Sequence, residues 1–413
     1  MKHLVLLGGG LSHLRLMREL AAAPLPGTQV TWVVPNILHV DPLRLPAWVA
    51  GRCSTEQISL NLEPLARSAG VALVEGDVML LDAAQREITL GSGRTLVFDA
   101  LSVCTHAGAN RDAIVGAREH ALFTRPVEHF IRLWDALLAL AAQQTLSLVV
   151  VGGQPRAIEM AMAVQQRLNK RARVALVTHG GAPLVGYSFA LQNKVRDVLK
   201  RGQVTLFEDR CEALSSRQMQ LGQGMRLACD APLLVLEDAS PLWLTSSDLQ
   251  LDSRGMLVTG PTLQSLSHPF IFADGELAAR SDRAFGSTPL AALYPRGEPF
   301  SLGHNLRRFL AGGELAQDLR PPRGIHALSC GDGSAVASVG GFAFSGRWVG
   351  RLKARADDKR LEPFRQGVVA APPVLSAAEA LGERISEPMT MLDELPGDHA
   401  IEANGTEQDQ PAR

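Results

Sequence analysis

Apolar residues at the start of the chain follow a strand, turn, helix, strand order. Residues 4–7 form a short apolar run, and the glycine turn Gly8–Gly10 comes directly after it. Apolar positions spaced three and four apart then run through Leu11–Ala22, and a second apolar run, Val30–Val34, follows a Pro/Gly break. This spacing predicts a β-α-β unit, because strands appear as short apolar runs and helices as a 3.6-residue repeat.

The same order of elements returns at mid-chain. Leu146–Val151 predicts a strand, residues 157–169 a helix and Val174–Val177 a second strand, again with a glycine turn after the first strand. Two such units predict two α/β domains of the nucleotide-binding type. The other predicted elements are short strands within 71–103 and at Leu101–Cys104, Leu233–Leu236, Met256–Val258 and Phe270–Ala273, and a helix at Leu302–Leu310.

The charge balance excludes some partners. The 413 residues carry 41 Lys and Arg against 42 Asp and Glu, which argues against a general nucleic-acid-binding protein because such proteins carry a basic surplus. No apolar run approaches the ~20 residues of a membrane-spanning helix. The amino-terminal residues lack a signal-peptide pattern, so we expect a cytoplasmic protein. From residue 367 onward, nine acidic and two basic residues without periodicity predict a disordered tail.

The five cysteines, at positions 53, 104, 211, 229 and 330, form no CxxC pair. This pattern argues against a disulfide framework, a zinc ribbon and a vicinal redox disulfide, so we expect isolated thiols. Cys104 and His106 lie close together in the sequence, but two ligands do not make a zinc site. No metal site is predicted.

The first glycine turn has the residues that a dinucleotide fold requires. Gly8, Gly9 and Gly10 allow the backbone to approach a pyrophosphate, and the following helix directs its positive end at that charge. Gly8 and Gly10 match the first two glycines of the GxGxxG pattern, and His13 stands where the third belongs. Ser12 is predicted either to cap the helix or to contact phosphate.

Two departures weaken the prediction of tight nucleotide binding. The second strand ends at Asn36 rather than at the acidic residue that usually holds the ribose, so Asn36 is the predicted substitute. The second unit keeps Gly152 and Gly153, but Gln154 replaces the second essential glycine. Arg156 is predicted either to contact phosphate or to be a solvated arginine, and nicotinamide-nucleotide binding there stays open.

Five stretches match, in order, the motifs of one group of flavoproteins: Gly8–His13, Leu45–Gly51, Thr262–Glu276, Gly331–Gly333 and Gly346–Lys353. On these residues the chain resembles the two-dinucleotide-domain flavoproteins of the pyridine nucleotide-disulfide oxidoreductase superfamily. Within it, the chain is similar to the NADH dehydrogenase-like branch, in particular to the flavoprotein module fused ahead of selenide, water dikinase. The resemblance runs from Leu4 to about Phe364.

The resemblance implies FAD and NAD(P)H as cofactors and assigns residues to them. Gly275 and Glu276 take the place of the Gly-Asp pair that binds the ribityl and phosphate region of the flavin; the alternative for Glu276 is an acid that offsets a helix dipole. Glu159 matches a glutamate of the nicotinamide-type unit near the flavin's redox face; its alternative is an exposed carboxylate. Thr105 lies in a strand-end Ala-Thr-Gly motif whose glycine is His106 here.

We therefore predict an α/β protein with two interleaved Rossmann-like domains and a small C-terminal cap. Residues 1–108 and 240–325 should form the FAD-binding-type domain, 109–239 the inserted NAD(P)-binding-type domain, and 326–366 the cap. An acidic tail, 367–413, should follow.

The function implied by the resemblance is that of an FAD-dependent NAD(P)H:acceptor oxidoreductase. Hydride would pass from the nicotinamide to the flavin and the electrons on to a small molecule, a quinone or a partner protein. The alternative is a degenerate flavoprotein scaffold that binds a ligand or partner without turnover. A partner in selenium metabolism would rest on analogy alone.

A basic, amphipathic segment at 346–366 leaves a membrane surface as a partner that we do not favour. Its bases are interleaved with Trp348 and Leu352, a pattern that suits a lipid interface. We expect instead that Trp348 and Leu352 pack against the flavin-type domain while the bases face water.

Overall fold

A computed structural model describes residues 1–236, 238–282, 292–293, 301–319, 325–339 and 341–365. The predicted acidic tail, 367–413, lies outside the described residues. The first stretch of chain contains β1 Lys2–Leu7, α1 Leu11–Ala22, β2 Thr28–Val34, β3 Leu38–Val40, α2 Leu45–Val49, α3 Thr55–Ile58, β4 Ser59–Asn61, α4 Glu63–Ser68, β5 Ala72–Glu75, β6 Val78–Asp82, β7 Glu87–Leu90, β8 Thr95–Val97, β9 Ala100–Val103 and β10 Gly108–Ala109.

The middle and last stretches follow in the same chain order. The middle stretch contains α5 Ala117–His120, β11 Leu122–Phe123, α6 Val127–Gln143, β12 Leu146–Val151, α7 Pro155–Leu168, β13 Ala172–Val177, α8 Phe189–Arg201, β14 Thr205–Phe207, β15 Cys211–Leu214, β16 Gln218–Leu221, β17 Arg226–Ala228, β18 Ala231–Leu234 and β19 Asp238–Ala239. The last stretch contains α9 Leu242–Thr245, β20 Leu257–Thr259, β21 Ile271–Ala273, β22 Ala278–Arg280, β23 Ala292–Leu293, α10 Ser301–Ala311, β24 Ile325–Ser329, β25 Ala335–Val339, β26 Phe342–Gly346 and α11 Arg347–Arg365.

Two five-stranded parallel sheets organise the molecule. The first has the order β21-β9-β1-β2-β5 and the second the order β11-β18-β12-β13-β14. Every pairing within them is parallel. Their central strands are apolar because both faces are covered: helices such as α1 and α7 pack on one face, and the antiparallel sheets β6-β7-β8 and β15-β16-β17 pack on the other. Strand β21 enters the first sheet only after the chain has completed the second. This order confirms the predicted fold class of two interleaved Rossmann-like units.

A short ribbon marks where the chain passes between the two units. Strand β10 pairs antiparallel with β19, with Gly108 opposite Ala239. The predicted domain limits near 108 and 240 fall close to this ribbon, and the division itself stays a prediction.

Each sheet has a point at which the strand order reverses. From β1 the chain adds β2 and β5 on one side and then returns to β9 on the other. From β12 it adds β13 and β14 and then returns to β18. Ligands of open α/β sheets bind beyond the carboxyl ends of the strands at such a switch point. The residues that follow β1, β9, β12 and β18 are therefore the first place to look for a site.

One apolar core joins the two units to the C-terminal sheet, which has the strand order β23-β24-β25-β26. Buried side chains of α2, such as Val49, lie in the same cluster as Met160 of α7 and Val336 of β25. Because this cluster crosses all three parts of the chain, it fixes the loops at the carboxyl edges of the sheets relative to one another.

The predicted packing of the basic segment, which forms helix α11, is wrong. Its buried face carries Val349, Lys353 and Leu361, whereas Trp348 is 54% exposed and Leu352 is 51% exposed. These two residues precede Val349 and Lys353 by one position, so the helical turn of about 100° places them off the buried face. Trp348 stacks on Phe344 of β26 instead of packing against the flavin-type unit.

The exposure of Trp348 and Leu352 removes one argument against membrane binding by this segment. That the segment does not bind a membrane surface stays a prediction. Among the described residues, no helix is both long and apolar enough to span a bilayer.

Candidate functional site

The first glycine turn is held tightly against the end of β9. Gly8 has a φ of +93° and donates its N–H to Val33 at 2.8 Å, and Gly10 donates to the Cys104 carbonyl at 2.8 Å. A Cβ atom at either Gly8 or Gly10 would lie 2.6 Å from the Cys104 carbonyl oxygen. Glycine is therefore required at both positions by close approach, and at Gly8 by backbone conformation as well.

His13 replaces the third glycine of the pattern with a buried hydrogen-bonding side chain. Its Nδ1 donates to the Gly8 carbonyl at 2.7 Å, so Nε2 accepts from the Ser102 hydroxyl at 2.9 Å. The Trp32 indole donates to the same Gly8 carbonyl at 2.9 Å. Burial lowers the pKa of His13 to about 4, which keeps the imidazole neutral. His13 thus ties the first turn, α1 and β9 together.

Ser12 is held by Asp274, which follows β21. The Ser12 hydroxyl donates to one Asp274 carboxylate oxygen, and the other accepts the Gly275 N–H at 2.9 Å. Helix α1 begins after Gly10 without a side-chain cap, so Ser12 does not cap it. The neighbouring Cys104 thiol is buried, and burial followed by the charge of Asp274 raises its pKa to about 12.

Polar side chains after β2 and at the end of β5, where the adenosine of a bound dinucleotide would lie, form hydrogen bonds to nearby backbone. The Asn36 carboxamide oxygen accepts the Leu38 N–H at 2.7 Å, which closes a short turn. A Glu75 carboxylate oxygen at the end of β5 lies 3.2 Å from the Ile37 nitrogen and accepts its N–H. Contact between Asn36 and a ribose stays a prediction.

The second glycine turn repeats the geometry of the first. Gly152 donates to Val177 at 2.8 Å, as Gly8 donates to Val33, and a Cβ on Gly152 would collide with the Val235 carbonyl at the end of β18. Gln154 begins α7 with φ −90° and ψ 168°, close to the −63° and 162° of Gly10. Any residue adopts such extended angles, so Gln154 fits this turn without backbone strain.

Gly153 is half-buried, and a Cβ there would lie 2.9 Å from the Thr178 carbonyl. Thr105, the residue predicted from the strand-end motif, lies against Gly8. The predicted glycines of both turns are thus placed at the two switch points.

Glu276 is the centre of a charged cluster. Its side chain is 5% exposed, and Arg125 donates to both carboxylate oxygens, at 2.7 and 3.0 Å. Arg156 lies 3.6 Å from Oε1, and His106 Nδ1 lies 3.4 Å from Oε2. Burial alone would raise the pKa of Glu276, but His106, Arg156 and Arg125 outweigh it and hold that pKa well below its usual range.

This cluster joins the carboxyl edges of the two sheets. Glu276 and His106 follow β21 and β9 of the first sheet, whereas Arg125 follows β11 of the second. A cavity of about 20 Å³ lies beside them and is lined by Pro42, Leu45, Pro46, Thr124, Arg125, Arg156, Met160 and Val235. The two switch points therefore face each other across the Arg125–Glu276 pair.

Glu159 is buried and faces β24 of the C-terminal sheet and helix α11. Its Oε1 accepts the Ser329 N–H at 2.7 Å and lies 3.4 Å from the Lys353 ammonium. Burial raises the pKa of Glu159 even though Lys353 opposes it. The exposed alternative for this carboxylate is wrong because α7 directs it into the core.

Two histidines lie over the first turn. The rings of His39 and His106 stack with centroids 5.7 Å apart, and a Cβ on Gly9 would lie 3.0 Å from His39 Nδ1. Burial, with the adjacent His106, lowers the pKa of His39 to about 4. Nε2 of His106 has no hydrogen-bond partner among the described residues, and the polar neighbour of Nδ1 is Glu276 Oε2 at 3.4 Å.

These residues fit an FAD molecule at the first turn. Both glycines are kept free of side chains, and the amino end of α1 has no side-chain cap. The adenosine end fits less well, because no acid follows β2 directly.

A family model described as pyridine nucleotide-disulphide oxidoreductase matches residues 2–293. The chain belongs to this family. The superfamily predicted from the sequence motifs is therefore confirmed, and the cofactors of the family are FAD and NAD(P)H.

An NADH dehydrogenase-like protein of Mycobacterium tuberculosis is 26% identical over 226 residues, which cover 51% of this chain and 56% of that relative. The chain thus spans about half the length of this curated relative of the family. Among solved structures, the sulfide:quinone oxidoreductase of Aquifex aeolicus is 18% identical, with coverage of 94% of this chain and 96% of that chain and a TM-score of 0.70.

NDH2 of Plasmodium falciparum in complex with NADH is 11% identical, with coverage of 89% of this chain and 100% of that chain and a TM-score of 0.68. Both likenesses show the shared fold of the family.

Three members of the site were missed by sequence reasoning. Arg125 and His39 are single polar residues in stretches without a motif, so nothing marked them. Arg360 of α11, which donates to Asp41 at 2.6 Å, belongs to a segment interpreted only as basic and amphipathic.

Proposed function

We propose that this protein is an FAD-dependent NAD(P)H:acceptor oxidoreductase. The observation that carries the proposal is the bond between Glu276 and Arg125, which brings the carboxyl edges of the two parallel sheets together. A dinucleotide on each switch point would direct its reactive end toward this meeting place. Membership of the family and the NADH dehydrogenase-like name of the curated relative support the same activity.

In this proposal residues 1–108 and 240–325 hold FAD, 109–239 bind the nicotinamide nucleotide, and 326–366 form the cap. Bound FAD would supply the redox chemistry, because a flavin can accept a hydride and pass electrons on. The turn of Gly8, Gly9 and Gly10 and the amino end of α1 hold the pyrophosphate of FAD.

The turn of Gly152 and Gly153, with Arg156, receives the nicotinamide nucleotide. Because Arg156 also lies 3.6 Å from Glu276, its guanidinium is shared between a phosphate role and the charged cluster. Both carboxylate oxygens of Glu276 accept hydrogen bonds from Arg125. We therefore propose that Glu276 positions the two units rather than binding the ribityl chain of FAD through a free carboxylate.

The acceptor takes its electrons without a protein disulfide. All five cysteines are free thiols, and only Cys53 is more than slightly exposed. Burial raises the pKa of Cys104, Cys211 and Cys229 to about 12, which suppresses the thiolate. This supports direct transfer to a small molecule, a quinone or a partner protein, with no preference among them.

Flavin binding tests the proposal. Purified protein should show the visible absorbance of oxidised flavin, or gain it on incubation with FAD, and should then oxidise NADH or NADPH in the presence of a soluble electron acceptor. A protein that stays colourless after incubation with FAD would contradict the proposal and favour a scaffold that has kept the fold without turnover.

A further inference from the structure

The imidazole of His106 has an unusual orientation. The side chain is 36% exposed, yet both ring nitrogens are buried. Nδ1 lies 3.4 Å from Glu276 Oε2 without hydrogen-bond geometry, and Nε2 has no hydrogen-bond partner among the described residues. The carbon edge of the ring therefore faces solvent while the polar edge faces inward. Leaving a buried polar group unsatisfied costs free energy, so this arrangement needs a reason.

The position of His106 supplies that reason. The residue follows β9 directly after Cys104 and Thr105, which contact Gly10 and Gly8 of the first turn. It therefore lies at the first switch point, where the fold places a ligand. A ligand there is the partner that Nε2 lacks.

Charged and titratable groups surround His106 from each neighbouring element. Glu276, after β21, lies 3.4 Å from Nδ1 and carries Arg125 and Arg156 on its other sides. His39 of β3 stacks on the ring. Glu128, in the first turn of α6, interacts electrostatically with His106.

Glu276 and His106 together have the geometry of a carboxylate–imidazole pair. A carboxylate that faces Nδ1 favours the tautomer with a proton on that atom, so Nε2 is the atom left to exchange a proton with a ligand. This is the arrangement by which a histidine acts as a general acid.

We propose that His106 is a catalytic acid that protonates the electron acceptor, with Glu276 as its positioning residue. This inference rests on the proposed oxidoreductase function. The overall reaction, NAD(P)H + H⁺ + A → NAD(P)⁺ + AH₂, consumes one proton beyond the one that the hydride carries. His106 gives that proton to the acceptor and takes up another from water after the reduced acceptor has left the site.

The inference narrows the acceptor class. An acceptor that takes up protons with its two electrons, such as a quinone-type carbonyl compound, requires the acid. A one-electron metal centre does not.

The test compares two acceptors in one protein. His106→Gln keeps a polar side chain but cannot act as an acid. Turnover with a water-soluble quinone should fall about 100-fold or more, the usual contribution of a general acid, while turnover with ferricyanide is unchanged. His304→Gln, at an exposed histidine of α10, is the matched control and should retain both rates.

A spectroscopic readout is independent of turnover. The visible spectrum of the bound flavin should differ between wild-type protein and His106→Gln, because the substitution changes the polar group at the first switch point. Equal losses with both acceptors, equal quinone rates in wild type and variant, or identical flavin spectra would each overturn the role of His106.

The failure of the proposed function gives a different result. If wild-type protein binds FAD but NADH and NADPH do not reduce it, the flavin is reduced chemically and mixed with quinone, so that the acceptor step is measured alone. If wild-type protein does not bind FAD, both proposals are overturned. Should His106→Gln lose its flavin, His106→Asn provides the second variant: a lower quinone rate with an unchanged ferricyanide rate supports the acid role of His106, and equal changes in both rates contradict it.

Discussion

His13 shows how one residue can replace a glycine and keep a turn intact. The third glycine of a dinucleotide turn normally permits close packing of helix on strand. Here the imidazole occupies that space and binds the Gly8 carbonyl and the Ser102 hydroxyl. The side chain is fully buried, so a charged imidazolium would lose its hydration without gaining an acidic hydrogen-bond partner.

The burial of His13 predicts a pH dependence of stability. Its pKa falls from 6.5 to about 4 on folding, so between these values the unfolded chain binds the proton and the native protein does not. The free energy of unfolding should therefore rise from about pH 4 to about pH 6.5 and level off above it. The contribution of His13 is on the order of 3 kcal/mol, and His39 acts in the same direction.

Urea unfolding between pH 4.5 and 7.5 measures this slope. His13→Gln should be less stable at pH 7.5 and show a smaller slope, whereas His304→Gln should follow the wild type. A wild-type free energy of unfolding that is constant over this range would contradict the neutral, buried state of His13.

At the scale of elements, the periodicity of apolar residues predicts the bounds of two helices closely. Helix α1 has the predicted bounds, and α10 differs by one residue at each end, because a strong apolar repeat and nearby glycines define both. Helices α6 and α8 were not predicted. The apolar repeat of α6, with Phe130, Trp134 and Leu137 buried, is clear in retrospect, but it lies in a stretch that has no chemical motif.

Helix α11 is held by a chain of ion pairs that periodicity cannot reveal. Lys353 lies 3.4 Å from Glu159 of α7 and 2.8 Å from Asp357. Arg360 lies 3.6 Å from Asp357 and 2.6 Å from Asp41 of the first unit. Burial alone would lower the pKa of Lys353, but Glu159 and Asp357 outweigh it and raise that pKa. Alternating charges thus connect both units through one helix.

Removal of one charge from this chain should be strongly destabilising. Lys353→Met leaves the buried Glu159 carboxylate without its cation, which costs about 3–5 kcal/mol in the free energy of unfolding. Adding Glu159→Gln should restore part of the loss, so that the double variant is more stable than Lys353→Met alone.

Denaturant unfolding of the four proteins of this double-mutant cycle tests the coupling. The control is Lys359→Met, an exposed position of the same helix, which should change the free energy of unfolding by no more than about 0.5 kcal/mol. If the two single variants add without coupling, Lys353 and Glu159 do not form the pair described.

At the scale of the whole molecule, two strand–turn–helix repeats predict two units but not their interleaving. Local pattern does not show that β21 joins the sheet begun by β1, because strand pairing over such a distance depends on tertiary contacts. The resemblance of the motifs supplied that part of the prediction. The meeting of the two sheets at Arg125 and Glu276 emerges only when both carboxyl edges are folded.

The proposed reaction is a hydride transfer across this meeting place of the two sheets. Single-turnover mixing of the FAD-loaded protein with NADH or NADPH, without oxygen, measures it directly as loss of the visible flavin absorbance. Arg125→Ala separates the two edges, so it should keep its flavin but be reduced at least about tenfold more slowly, equivalent to 1.4 kcal/mol or more of barrier. Arg118→Ala, which breaks a surface ion pair with Asp112, is the matched control and should behave as wild type. Bleaching of the wild-type flavin by a nicotinamide nucleotide is the predicted result; a bound flavin that dithionite reduces and neither nucleotide does would contradict the account.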